Sequence, residues 1–212
     1  MVALMNEQRA RHGAPPTVWN DTLAAQAQAW TDRCVWKHSR ETTGGDYGEN
    51  LAGALGRDKV DPTTGLDACS SAAMMWYDEV NYYDWAAADA MPVDVFVGQW
   101  PPSYDSSKST GHFTQVVWAD STSFGCGVTD CANPFGFGPA AIVACQFFPA
   151  GNYPRYRLEV FRTACQNRTG DDGCAACSPD GACMACYEGI GRKVPDESDR
   201  VSSLERLIFE GW

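Results

Sequence analysis

Apolar residues recur at helical spacing in two stretches of the first eighty positions. From Asn20, a favourable N-cap, Leu23, Ala27, Trp30 and Cys34 follow at spacings of four, three and four. That stripe predicts an amphipathic helix with one face on a core. Leu66, Cys69, Ala73, Trp76 and Val80 form a second stripe of the same kind. Met1 to His12 reads as a shorter helix, stopped at Gly13 and kept from resuming by Pro15 and Pro16. His12 falls in its last turn, where an imidazole interacts favourably with the negative end of the helix dipole. From Tyr82 to Tyr104 neither period holds, and Tyr, Trp, Phe and Pro dominate. A stretch that long without a period is usually a functional loop.

Strand-like patterns follow. His112 to Trp118, Phe124 to Val128 and Ala140 to Phe147 are the candidates, the first and last rich in Val, Ile and Phe. Helices first and strands afterwards predict an α+β domain whose antiparallel sheet is covered by helices. After Tyr156 the pattern changes again. Cys165, Cys174, Cys177, Cys183 and Cys186 stand among Gly, Asp and Ala with few large apolar residues. Such a segment lacks the means to bury a core and needs covalent staples. The expected organisation is a main domain over 1–156 and a cysteine-rich extension and tail over 157–212, with a short helix at Ser202 to Phe209.

Composition narrows the class. The chain has 212 residues and a net charge of −11, which would repel a phosphate backbone, so nucleic acid is excluded as a partner. No stretch approaches the ~20 consecutive apolar residues of a transmembrane segment. Ten cysteines suggest an oxidising, extracellular compartment. Asn-x-Thr sequons at Asn20 and Asn167 are permissive for glycosylation there. The first residues carry no signal-peptide pattern, so the sequence reads as a mature or trimmed secreted chain.

Four segments, in order, carry a family resemblance: Cys34-Val35-Trp36-Lys37-His38-Ser39, Gly48-Glu49-Asn50-Leu51, Gly111-His112-Phe113-Thr114-Gln115-Val116-Val117-Trp118, and the run from Cys145 to Tyr153. Together they resemble the signature motifs of the CAP superfamily, which includes cysteine-rich secretory proteins, venom antigen 5 allergens and plant pathogenesis-related proteins of the first group. The resemblance spans Val2 to Tyr153 and implies a three-layer α-β-α sandwich with a central antiparallel sheet. It departs from the usual pattern at Met5, where many relatives have His, at Phe147, where Tyr is usual, and in insertions between Leu51 and Trp76 and between Tyr83 and Gly111.

The resemblance also implies a central cleft lined by His38, Glu49, Glu79 and His112. Two imidazoles and two carboxylates suit zinc or another divalent cation in an open site. The bland reading of each residue is a solvated loop histidine, a strand-end histidine, or a glutamate in a buried hydrogen-bond network. Resemblance to plant relatives pairs Cys34 with Cys131 and Cys126 with Cys145. Cys69 then either bridges to Cys165 or stays a thiol, and the tail is expected to pair Cys174 with Cys183 and Cys177 with Cys186. The two C-x-x-C spacings also raise zinc, but the five residues between them are fewer than the ~15–20 of a zinc ribbon.

Catalysis finds little support in the sequence. There is no Gly-x-Ser-x-Gly elbow and no His-Glu-x-x-His helix, and Ser39 beside His38 is a weak nucleophile candidate. The resemblance to fungal and plant relatives that bind sterols or fatty acids implies a secreted, non-catalytic binding module for such a lipid, or for an extracellular or cell-surface protein partner. A structural module of an extracellular or cell-surface assembly and a metal-dependent hydrolase or protease, with Glu49 or Glu79 as general base, are the alternatives.

Overall fold

The computed structural model describes residues 1–54, 64–84, 103–105 and 107–152. In chain order these form α1 (Val2–Arg11), β1 (Val18–Trp19), α2 (Asp21–Thr31), α3 (Arg40–Thr43), β2 (Gly48–Ala54), α4 (Ala68–Asp78), a 3-10 turn (Glu79–Tyr82), α5 (Gly111–Val116), β3 (Ser123–Cys131) and β4 (Ala140–Phe148). The architecture is mixed α and β, helices around one central sheet of order β1-β3-β4-β2. The β2–β4 and β3–β4 pairs are antiparallel, but two-residue β1 joins the edge parallel to β3, so the sheet is not antiparallel throughout.

Two of the expected helices form where the stripes place them. Asn20 caps α2, its Oδ1 accepting from the amides of Thr22 at 2.9 Å and Leu23 at 3.2 Å. Asp67 caps α4 through Ser70 N at 2.7 Å. Glycines then decide how closely α2 approaches the sheet. A Cβ at Gly125 or Gly127 would collide with the backbone of Ala24 or of Ala27 and Gln28, so bare backbone on β3 lets the helix lie directly on it. Gln28 fastens the contact, its Oε1 accepting from Val128 N and its Nε2 donating to Val128 O, both at 3.1 Å.

Alternation along the strands divides the buried residues into two clusters. Phe124, Cys126, Val143, Cys145 and Phe147 pack with Met5, Trp76, Val80 and Phe113 from α1, α4, the 3-10 turn and α5. Leu51 and Ala144 pack instead with Ala27 of α2. The β3–β4 hairpin turns through Gly136 and Gly138, both at positive φ, and Asn133 Oδ1 accepts from Gly138 N at 2.9 Å.

Two assignments differ from the sequence reading. His112 to Trp118 is not a strand: Gly111–Val116 is helical and every one of its residues is buried. β-branched content misleads here because packing on all sides overrides local propensity. Thr114 Oγ1 also turns back onto the helix carbonyls of Thr110 and Gly111, at 3.2 and 3.0 Å. Conversely, Gly48–Ala54 carries no strand signal, since it is buried along both faces and so lacks polar alternation. The aromatic stretch over 85–102 and the extension over 157–212 lie outside the described residues.

Candidate functional site

Strand β2 is the spine of the site. Glu49 is fixed by four groups: His38 Nδ1 at 3.0 Å and Ser39 N at 2.8 Å on Oε1, Ser39 Oγ and, at 3.2 Å, Gln146 Nε2 on Oε2. Burial pushes the Glu49 carboxyl up, but the hydrogen bonds from His38, Ser39 and Gln146 outweigh it and hold the group below the ordinary carboxylate range. Glu49 is therefore an acceptor only. The neighbouring Asn50 reaches to the second half of the site, its Nδ2 donating to the carbonyl of His112 at 3.1 Å.

That half is a second histidine–carboxylate pair. His112 Nδ1 lies 2.7 Å from Glu79 Oε1, and Glu79 Oε2 accepts from Phe113 N at 3.0 Å. Glu79 opens the 3-10 turn directly after α4, and His112 is the second residue of α5. Trp76 stacks on the His112 ring with centroids 6.1 Å apart and donates from Nε1 to Leu51 O at 3.0 Å, tying the pair back to β2. Glu49, Glu79 and His112 are buried, while the His38 side chain is 24% exposed.

The four expected residues are thus arranged as two pairs, linked through Asn50. Among the described residues no group of three or more His, Cys, Asp or Glu is clustered as ligands for a metal ion. A donor set drawn from these side chains is two imidazoles, each held at Nδ1 by a carboxylate, so Nε2 is the nitrogen each would present to a cation. Both carboxylates already serve as orienting acceptors, the arrangement that fixes a ligating histidine from behind.

Ser39, read from sequence as a weak nucleophile, is buried with its hydroxyl donating to Glu49 rather than to a histidine. Sequence reasoning missed Gln146, Tyr47 and Asn50 as partners, although Asn50 and Gln146 stand inside the quoted motifs. Tyr47 OH lies 2.8 Å from Ser39 Oγ and 2.8 Å from Thr43 Oγ1, extending the network outward. His12 stands at the C-cap position just past α1, and its ring packs against Tyr77 and Phe113 with Nε2 3.0 Å from Tyr77 OH.

The disulfides Cys34–Cys131 and Cys126–Cys145 are both formed. Cys69 is half-buried against the larger core cluster. Cys165, Cys174, Cys177, Cys183, Cys186 and Asn167 lie outside the described residues. At the other sequon, Asn20 Nδ2, the atom a glycan would occupy, is 3.5 Å from Ser123 Oγ. No helix among the described residues is long and apolar enough to cross a membrane.

Known proteins share this scaffold. The chain is 34% identical over 148 residues to secreted protein RBT4 of Candida albicans, covering 69% of this chain and 33% of that one. It is 32% identical over 182 residues to bovine GLIPR1-like protein 1, covering 79% and 65%. With pathogenesis-related protein 1A1 of Solanum lycopersicum it shares 34% identity over 152 residues, covering 70% and 69%. The chain therefore spans between one third and two thirds of the length of the first two of these relatives. The crystal structure of Na-ASP-1 has the same fold, with a TM-score of 0.55 at 22% identity, covering 87% of this chain and 44% of that one. Residues 2–147 match the CAP (cysteine-rich secretory protein) family model, and this chain belongs to that family.

Proposed function

We propose that this chain is an extracellular, non-catalytic binding module whose cleft holds a divalent cation, zinc or a related ion, between the imidazoles of His38 and His112. The observation that carries this reading is the pair of histidines, each with Nδ1 on a buried carboxylate, joined through one strand by Asn50. When bound, the ion supplies a positive charge with open coordination positions for a polar ligand group. The protein's part is to orient the rings and keep both Nδ1 atoms occupied. Binding is favoured over turnover because Glu49, held below the ordinary carboxylate range by four donors, is a poor general base. Oxidised cysteine pairs and relatives named as secreted support the extracellular setting.

The ligand we assign to the module is an apolar lipid, a sterol or fatty acid, with an extracellular protein partner as the other occupant of the family's surface. A three-layer α-β-α arrangement would leave the cleft at one end of the sheet, and the two separate clusters on alternating strand positions support that layering. The extension over 157–212 is proposed as a disulfide-stapled appendage.

Calorimetric titration with zinc chloride near pH 7.5 tests the reading. One saturable site is expected, lost in the His38→Ala/His112→Ala variant and weakened about 10–100-fold by Glu79→Gln. Undiminished zinc affinity in the double variant would overturn it. Radiolabelled cholesterol and palmitate uptake then tests the ligand: uptake at background for both removes the lipid assignment and leaves the cation site standing.

A further inference from the structure

A pocket of about 430 Å³ opens on the α2 side of the sheet, in the size range of small-molecule sites. One wall is Gln26, Ala29 and Trp30 of α2 with Arg33 in the turn just past its end; the other comprises Ser39, Thr43 and Tyr47, with Gln146 of β4. Depth sorts these residues. Trp30, Ser39, Tyr47 and Gln146 are buried and make the floor, while Gln26, Ala29, Arg33 and Thr43 are exposed and make the mouth. The surface is mostly apolar.

The floor's protons are already committed. Glu49 only accepts, so Ser39 Oγ donates to it, Tyr47 OH donates to Ser39, and Thr43 Oγ1 donates to Tyr47. An anionic group at the floor would meet hydroxyl lone pairs instead of donors. At the mouth the situation is reversed. The Arg33 guanidinium lies over the Trp30 ring, Cζ 4.6 Å from the centroid, and makes no ion pair among the described residues. A guanidinium resting on an aromatic face keeps its edge N–H groups available for a planar carboxylate.

We propose that this pocket is a second binding site, for a flat organic acid whose apolar body lies between Trp30 and Tyr47 and whose carboxylate pairs with Arg33 at the mouth. It is separated from the two histidines by the Ser39–Glu49–Gln146 layer and does not depend on cation binding. In a chain of net charge −11, Arg33, with no ion pair among the described residues, gives the pocket its preference for an anion.

Naphthalene-2-carboxylate and its neutral analogue naphthalene-2-carboxamide are the probes, titrated by calorimetry into the full chain. The carboxylate is expected to bind at one site, and Arg33→Gln to weaken it about tenfold or more while leaving the carboxamide unchanged. Ala29→Trp, an exposed helix position, fills the mouth and is expected to abolish binding of both. Circular dichroism melts check that both variants fold. The indole N–H resonance of Trp30 reports on location and is expected to shift on titration. Absence of carboxylate binding at millimolar concentration, equal losses for both probes in Arg33→Gln, or unchanged binding in folded Ala29→Trp would each overturn the site. The His38→Ala/His112→Ala variant separates the two proposals: it is expected to bind naphthalene-2-carboxylate normally, and loss there would overturn the pocket's independence of the cleft.

Discussion

Glu49 carries more of the site's physics than any other single residue. Four donors reach its two oxygens, and the carboxyl sits below the ordinary range despite its burial. A carboxyl whose folded-state pKa lies below the unfolded value, ~4.3, contributes stability above that pH and loses it as pH falls through the folded value. Wild-type protein should therefore lose stability in urea melts as pH drops from about 5 to 3. Glu49→Gln should be less stable at pH 7 by about 2–3 kcal/mol, because it breaks a buried, charge-assisted network, and should show a flatter acid limb. Identical acid limbs in the two proteins would contradict the hydrogen-bond origin of the shift. The family resemblance points to His38, Glu49 and His112 inside the quoted motifs and to Glu79 by its place three residues after Trp76, and the structure pairs each histidine with one of the glutamates. Gln146 was not legible as a partner, because it meets Ser39 across 107 positions and no local pattern encodes such a contact.

At the scale of elements, legibility follows environment. α2 has one wet and one dry face, so its stripe is visible in the sequence, whereas α4 is buried over most of its length with Asp78 its one exposed residue, and its large residue Trp76 is what marks the stripe. β2 and α5, the elements that carry Glu49 and His112, are buried all round, and burial on every side erases the period that distinguishes a strand from a helix. The site is thus built on the elements hardest to assign from sequence. Arg9 shows how α5 is held nonetheless: its buried guanidinium, pushed down to about 10 by desolvation and still charged at neutral pH, donates to the carbonyls of Val116 at 2.9 Å and Trp118 at 2.8 Å. The seat of α2 is equally specific. Gly127→Val should cost on the order of 3 kcal/mol, since the new side chain meets helix backbone that has nowhere to move. The exposed control Thr22→Val, outside this contact, should cost less than about 1 kcal/mol. Equal thermal shifts would mean that α2 does not rest on bare strand backbone.

At the scale of the whole molecule, the family match covers residues 2–147, and the scaffold carries both disulfides and sets α5 against β2 and the 3-10 turn. The coarse class, helices around a sheet, was readable from element order alone, whereas the parallel edge strand β1 was too short to leave any signal. Function lives in what the scaffold holds, and here it holds two imidazoles by the same nitrogen. Because each carboxylate accepts from Nδ1, each ring carries its proton there, and under the proposed function Nε2 is the atom offered to a cation. Nitrogen-15 NMR of the histidine side chains during a zinc titration tests this most directly. The expected result is that His38 and His112 both keep a protonated Nδ1 while their Nε2 resonances shift together and saturably with zinc. Nε2-protonated rings, or a zinc-dependent shift at only one of the two or at neither, would contradict it.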